Sequence, residues 1–376
     1  AAFKFHDIGV ELLHNDQGET EFNVHVGGGL GRTPVISQLI KPNLAWPHLI
    51  TYLEAVLRVY NQLGRRDNKY KARIKILVKA MGAEAFAERV EQEWKYIKGN
   101  ENTLTVAAVD RVKHFFIPHD YQIFDDHICN ESLQSLRLES SEFSHWLDKN
   151  VQPHKQAGYA IVNLALKPTG IAPGDISDMQ MEAIADLADT YSGGLLRNTH
   201  HQNIVLADVQ KSQLFELWKK CKALAIATPN LGYLSDPICC PGGDYCALAN
   251  AKSIPIAEAI QRQFDDLDYL YDLGPIDLNI SGCMNACGHH HVGHIGILGV
   301  DKKGKEFYQV SLGGNMSKDA SIGKILGPSF SDAEIPAVIQ KILDVYVNKR
   351  TEEEPFIETY RRVGIAPFKE YVYAEQ

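Results

Sequence analysis

"DKKGKEFYQVSLGGNMS" (301–317) occurs in this chain in two versions, the other being "NDQGETEFNVHVGGGLG" (15–31). Each reads as a polar turn around one glycine, an alternating run and a glycine-rich turn. Alternation with period two predicts a half-buried strand, and the flanking glycines predict tight turns. Gly18 and Gly304, Phe22 and Tyr308, Val24 and Val310, and Gly27 and Gly313 all stand 286 positions apart. The next segment keeps that register. Leu53, Val56, Leu57, Val59 and Tyr60 fall opposite Ile339, Ile342, Leu343, Val345 and Tyr346, on the 3.6-residue period of an amphipathic helix. "SDAE" (331–334) supplies a capping box ahead of the second helix. One such match arises easily by chance. An offset held from residue 18 to residue 60 points to internal duplication.

The second copy begins with a front half that has no counterpart in the first. After "DKNVQPHKQAG" (148–158), which reads as a linker, come "YAIVNLAL", an amphipathic helix around 181–191, the paired runs "GGLLRN" and "QNIVLAD", and a helix through "LFELWKK". That βαββα order predicts a small α+β subdomain. The expected divisions are 1–147 (first copy), 148–227 (the α+β subdomain) and 228–376 (second copy). Ala1 falls opposite Cys287, so 287 − 158 = 129 residues of the second copy have no partner in the first. With no initiating methionine either, the chain is expected to be one piece of a larger polypeptide.

At 376 residues, 45% apolar and 23% charged, the chain has the composition of a globular protein with sizeable cores. No apolar run reaches the ~20 residues that cross a bilayer, and the first ten residues are no secretory signal, so no membrane partner is expected. A formal charge of −9 argues against a general nucleic-acid binder. Seven cysteines suit a reducing compartment better than a disulfide framework, and the expected location is the cytoplasm.

Four of the seven are grouped. Cys240 and Cys246 are spaced C-x5-C in "CCPGGDYCALANAKS", and Cys283 and Cys287 are spaced C-x3-C in "SGCMNACGHHHVGHIG". Four thiolates suit an iron–sulfur cluster or a structural zinc ion, and buried free thiols are the plain alternative. Zinc knuckles favour C-x2-C loops, which neither pair provides. A wide Pro/Gly loop lets backbone amides approach cluster sulfides, so a [4Fe–4S] cluster is the favoured occupant. The small residues Gly242, Gly243, Ala247, Gly282, Ala286 and Gly288 are expected to clear the space for it. Cys129, Cys221 and Cys239 lack a partnered spacing and read as packing residues.

The two cysteine stretches, with "FHDIGVELL", "VGGGLGRTP" and "GRRDNKYKARIKILVKA", resemble the sulfite/nitrite reductase family over essentially the whole chain, and within it the haemoproteins of assimilatory sulfite reduction. The resemblance implies an α+β, pseudo-twofold repeated architecture of a ferredoxin-like half-domain and mixed α/β cluster-binding domains. It implies that Cys240, Cys246, Cys283 and Cys287 hold a [4Fe–4S] cluster, with the Cys287 sulfur shared with the iron of sirohaem. It further implies six-electron reduction of sulfite to sulfide, with electrons from a flavoprotein reductase or a ferredoxin. Nitrite reduction to ammonia on the same fold is the alternative, and a non-catalytic iron–sulfur or zinc domain a third.

Sirohaem carries eight carboxylates, so its pocket needs cations and amide donors. Residues 65–79 hold Arg65, Arg66, Lys69, Lys71, Arg73, Lys75 and Lys79 against the single acid Asp67. Tyr70, Ile74, Leu77, Val78 and Met81 read as the buried face of a helix there. The cations alone fit a solvated basic face too; the resemblance implies that the segment meets the macrocycle carboxylates, with Lys69, Lys71 and Arg73 as the contacts. Gly28, Gly29 and Arg32, in a glycine-rich turn that is no dinucleotide fingerprint, are expected to approach a flat ligand or simply to turn tightly. Asn315 sits at the equivalent place in the second copy, and Asn285 between two cysteines offers an amide to the macrocycle. In "RNTHHQN" (197–203), Gln202 and Asn203 are further candidates beside Arg197 and Thr199, with a strand-end polar cluster as the alternative. His289, His290 and His291 could donate protons, tune the cluster or bind a metal, or simply pack. The resemblance implies that the family's anion-holding Arg and Lys side chains lie in a segment upstream of Ala1. Catalytic residues are therefore assigned to no position here, and the chain alone is expected to lack the complete anion pocket.

Overall fold

The computed structural model describes residues 2–116 and 119–374. Ala1, the position upstream of which the anion-holding cations are expected, lies outside the described residues, so that expectation has no structural counterpart here. Contacts divide the chain into two units, one running to residue 118 and including Asn315–Ile322, the other formed by 119–314 and 323 onward.

In the first unit, β1 (Ile8–His14), β2 (Thr20–Val26) and β3 (Gln38–Ala45) form an antiparallel sheet in that order. Val24 and Val26 on β2 are buried under α1 (Leu49–Leu63), α2 (Ile74–Met81) and α3 (Ala83–Ile97). Those helices contribute Tyr52, Val56, Ile74, Val78, Phe86, Val90 and Trp94 to the core. A fourth helix, α4 (Val106–Lys113), buries no residue. The basic stretch is helical only from Ile74. Asn68 accepts from the Tyr70 amide and caps a single 3-10 turn over Lys69–Lys71, and Arg73 is extended, so Tyr70 stands 83% exposed instead of on a buried face.

The second unit begins with α5 (Asp126–Glu139) and α6 (Ser141–Asn150). Then come β4 (Val151–Pro153), β5 (Tyr159–Leu164), α7 (Asp178–Tyr191), β6 (Leu196–Asn198), β7 (Ile204–Gln210) and α8 (Leu214–Ala223). From β5 to α8 the order is the expected βαββα, and the sheet runs β4-β5-β7-β6. The expected linker is not one. Its start finishes α6, and Val151–Pro153 pairs antiparallel with β5, because Trp146, Leu147 and Asn150 are buried and leave no free chain there.

The chain continues through β8 (Ile238–Cys239), the one-turn α9 (Gly242–Tyr245), α10 (Ile254–Gln263), α11 (Leu267–Leu273), β9 (Leu278–Ser281), β10 (Ile295–Lys302), β11 (Lys305–Leu312) and β12 (Lys324–Ile325). The sheet order is β12-β11-β10-β9-β8, with β8, β9 and β10 parallel and the rest antiparallel. Helices α12 (Ile335–Lys349), α13 (Phe356–Val363) and α14 (Ala366–Val372) complete its core, with Ile339, Ile342, Leu343 and Tyr346 buried as the period requires.

The 286-residue register survives in the backbone. α1 and α12 coincide in both bounds at that offset, and Ser331 and Glu334 form the expected capping box before α12. Isolated bridges Gly29↔Val35 and Asn315↔Ser321 correspond, as do Gly27 (φ 87°) and Gly313 (φ 84°), both in the left-handed region that a side chain resists. Among the described residues no helix is long and apolar enough to cross a membrane.

Candidate metal centre

Strands β8 and β9 run parallel with Cys239 opposite Ile280, so the loops that follow them leave the sheet at the same end. The Cys240 amide extends the ladder by donating to the Ile280 carbonyl at 3.1 Å. In return the Gly282 amide donates to the Cys240 sulfur at 3.1 Å, and Ser253 Oγ lies 3.4 Å from it. An amide aimed at sulfur favours a thiolate and is the donor that a metal-bound cysteine uses. Cys246 follows the α9 turn, its amide bonded to the Gly242 carbonyl at 2.9 Å. Cys283 is buried, Cys240 and Cys246 are half-buried and Cys287 is exposed. Desolvation pushes the Cys287 thiol up, and Cys240, Cys283 and Cys246 add to that, so each of those three lies within electrostatic reach of Cys287. Four thiolates gathered this way repel one another until positive charge joins them. A lone zinc ion, bound at ~2.3 Å, needs its sulfurs within roughly 4 Å of each other. No three Cys, His, Asp or Glu side chains among the described residues form such a single-ion group.

The glycines serve a different purpose from the one expected. A Cβ on Gly282 would stand 2.6 Å from the Ala251 carbonyl oxygen, one on Gly242 2.4 Å from the Ser253 amide, and one on Gly288 1.9 Å from the Ile280 carbonyl oxygen. Their missing side chains let three backbone segments lie against each other; protein, not a vacant cradle, occupies that space. The packing assignment holds for Cys239 and Cys221, which join separate cores. Burial pushes both thiols up, that of Cys221 to about 12.

Asn285 is exposed on the second loop. His290 is buried with neither ring nitrogen hydrogen-bonded, lies 3.9 Å ring to ring from His291, and is held neutral, its pKa pushed down to about 3 by burial and by that neighbour. Gln202, at φ 58°, spends its amide on Cys239, accepting from that residue's N–H and donating to its carbonyl, both at 2.8 Å. Asn203 is buried, accepts from the Leu166 amide at 3.0 Å and donates to Asp236 at 3.1 Å. Arg197, Thr199, His200 and His201 line a cavity of about 600 Å³ on the same unit. Burial lowers the pKa of both histidines, that of His200 to about 4 with His201 beside it.

The first unit brings Gly28, Gly29 and Arg73 together. A Cβ on Gly28 would meet the Lys4 carbonyl oxygen at 2.5 Å, and one on Gly29 would meet the Arg73 guanidinium at 2.7 Å. Arg73 is bidentate to Asp7, at 3.2 and 2.6 Å. Lys69, Lys71 and Arg32 are exposed and outside this group. Asn315 accepts from the Ser317 amide at 3.0 Å within its own bridge.

Two lysines with no site role assigned from the sequence, Lys75 and Lys167, are buried. Lys75 donates to the carbonyls of Leu30 and Thr33, both at 2.8 Å, and burial lowers its pKa. Its place three residues before Val78, on the apolar face of α2, was the available signal. Lys167 pairs with Asp236 at 2.7 Å with neither side chain more than 3% exposed. Its only signal was a charge directly after the apolar run "YAIVNLAL".

Residues 1–98 and 234–376 match the model of the nitrite and sulphite reductase 4Fe-4S domain, and residues 153–224 that of the nitrite/sulfite reductase ferredoxin-like half domain. "Sulfite reductase [ferredoxin] 1" of Mycolicibacterium paratuberculosis is 25% identical over 93% of this chain and 58% of that protein. The chloroplastic "Ferredoxin--nitrite reductase" of Arabidopsis thaliana is 26% identical over 88% of this chain and 51% of that protein. The chain thus spans little more than half the length of these relatives. The solved structure of Mycobacterium tuberculosis NirA protein shares the fold, with a TM-score of 0.74 and 23% identity over 98% of this chain and 62% of that one. A [4Fe–4S] cluster and sirohaem are the cofactors of such reductases. With family models spanning most of its length and the α+β architecture they describe, this chain belongs to the nitrite and sulphite reductase 4Fe-4S domain family.

Proposed function

We propose that this chain is the cluster-bearing part of a sirohaem sulfite reductase, with Cys240, Cys246, Cys283 and Cys287 holding a [4Fe–4S] cluster. The observation that carries this is the pair of cysteine loops leaving one sheet end, with the Gly282 N–H on the Cys240 sulfur. Together the cluster and sirohaem would pass six electrons, drawn one at a time from the external donor, to a bound oxyanion. Reduction of sulfite with six electrons and six protons gives sulfide and three waters, so each departing oxygen takes two protons. The protein's part is to hold the anion, admit protons and keep the four thiols deprotonated. Lys69, Lys71, Arg73, Arg32, Gly28, Gly29, Asn285 and Asn315 are proposed as macrocycle contacts on the strength of the family resemblance. Gln202 and Asn203 act in this reading through the backbone they hold. A ferredoxin or flavoprotein reductase is the proposed electron donor and the cytoplasm the proposed location. Nitrite is the second substrate reading, supported by the Arabidopsis relative at 26% identity.

Absorption spectroscopy of the chain loaded with iron, sulfide and sirohaem tests this. A Soret band with a chlorin-like red band is expected, lost in Cys287→Ser. A bare iron–sulfur shoulder would remove sirohaem from the reading, and stoichiometric zinc with no iron would remove the reductase altogether. Turnover with sulfite against nitrite then separates the two substrates.

A further inference from the structure

The Lys167–Asp236 pair is a charged group sealed inside the second unit, and the thiol chemistry makes no direct use of it. Isolated buried ion pairs usually add little stability over apolar residues of the same shape, so their retention points to a role in fixing geometry. The two residues that accept from Lys167 lie on the segment that leads to Cys240 and on the turn whose Gln202 bonds the Cys239 backbone. Lys167 Nζ donates to Asp236 Oδ1 at 2.7 Å and to the His201 carbonyl at 2.5 Å. Asp236 also accepts from Asn203 Nδ2 at 3.1 Å and from the Gly232 amide at 2.9 Å. Gln202 stands between His201 and Asn203, and its amide clamps both backbone groups of Cys239. Gln261 on α10, fully buried, closes the far side by donating to the Lys167 and Ser235 carbonyls.

Asp236 lies four residues before Cys240, and His201 one residue before Gln202. The ammonium therefore holds both arms of the clamp at once: the 201–203 turn through a carbonyl, and the 236–240 segment through a carboxylate. We propose that Lys167 and Asp236 are positioning residues for the cysteine loops, setting the Cys239–Cys240 backbone so that the Cys240 sulfur meets the Gly282 N–H. The proposal rests on the reading that Cys240 is a cluster ligand only for its functional consequence. The strut itself can be tested without iron.

The test compares the 376-residue chain with Lys167→Met, Lys167→Met/Asp236→Leu and Lys167→Arg. Two readouts are used, deuterium exchange of the Cys239 and Cys240 amides in the iron-free chain, and the electron paramagnetic resonance line shape and midpoint potential of the reduced, reconstituted cluster. Removing one charge strands the other in the interior, so Lys167→Met is expected to destabilise the whole chain. The double variant, with no charge stranded, regains its melting temperature. It is nevertheless expected to keep exchange at Cys239 at least ~10-fold faster than the parent chain, with a displaced potential, because Leu and Met cannot bond His201 O or Asn203. Lys167→Arg, which retains the charge and donors, is expected to recover most of the protection. A stable double variant with parental exchange at Cys239 would overturn the strut. If exchange behaves as expected but no variant and no parent chain takes up iron, the cluster reading fails and the strut stands. If iron is taken up with an identical potential and line shape in all four proteins, the positioning role toward the ligand is overturned.

Discussion

The two copies of the duplicated segment share a backbone but pack the same turn differently: its first glycine lies against Val78 in the first copy, which adds two cations, and against the Tyr360 ring in the second. In the first, the glycine-rich turn after β2 wraps two cations. Lys75 fills the carbonyls of Leu30 and Thr33, and the Arg73 guanidinium lies over Gly29 while paired to Asp7. In the second, the turn after β11 packs on an aromatic ring: a Cβ on Gly313 would meet Tyr360 at 1.9 Å. The register holds through α1 and α12 and then lapses. α13 starts at Phe356, whose counterpart, Tyr70, lies in a 3-10 turn. A duplicated frame thus fixes where the turn is, while the segment after the long helix decides what packs against it: Val78 with two cations beside it, or the Tyr360 ring. The cysteines belong to the ring-supported copy, where β8 and β9 add two parallel strands to the hairpin.

Removing the ring should have the largest effect. Tyr360 is 8% exposed, and Tyr360→Ala is expected to cost about 3–5 kcal/mol in urea unfolding through the cavity it leaves. A loss below 1 kcal/mol would mean the ring does not support the turn. Lys75→Met comes next, at about 2–3 kcal/mol, because buried carbonyls lose a charged donor. An unchanged unfolding midpoint would make the two copies alike after all.

Acid should then separate the copies through His290, whose counterpart at the same offset is Lys4. The folded chain holds His290 neutral to about pH 3, whereas the unfolded chain protonates it near pH 6.5. Its contribution is therefore complete above pH 6.5 and is lost as pH falls toward 3, with about one proton taken up on unfolding, or roughly 1.4 kcal/mol per pH unit. Stability against pH in His290→Phe should be flatter across that window; an identical slope would show that the imidazole is not held neutral. The smallest change is expected from Asp7→Asn, since the Arg73–Asp7 pair is about two-fifths exposed and surface pairs contribute under about 1 kcal/mol. A larger loss would make that pair, not Lys75, the support of the first turn.

The repeat, the βαββα subdomain and the cysteine pairs were legible because each is a local pattern: alternation, 3.6-residue period, and fixed spacing between thiols. Tyr70 departs from the expected helical face because the period does not reach back past Ile74: Arg73 is extended, and Asn68 caps a separate turn that carries Tyr70. The glycines flanking the cysteines were visible as glycines, but their use was not. Whether a missing Cβ makes room for a ligand or for another backbone depends on what the fold brings against it, and here that is Ala251, Ser253 and Ile280.

The order of residues alone established the duplicated frame, the subdomain before its second copy and the four thiols, because strand and helix periods and loop lengths are properties of neighbours along the chain. Only tertiary structure decided that Lys75 and Lys167 are interior cations, that Gln202 bonds the Cys239 strand and that Asn203 bonds Asp236. The reason is physical: a buried charge is stable only beside partners that balance it, and those partners lie 45, 42, 34 and 69 residues away.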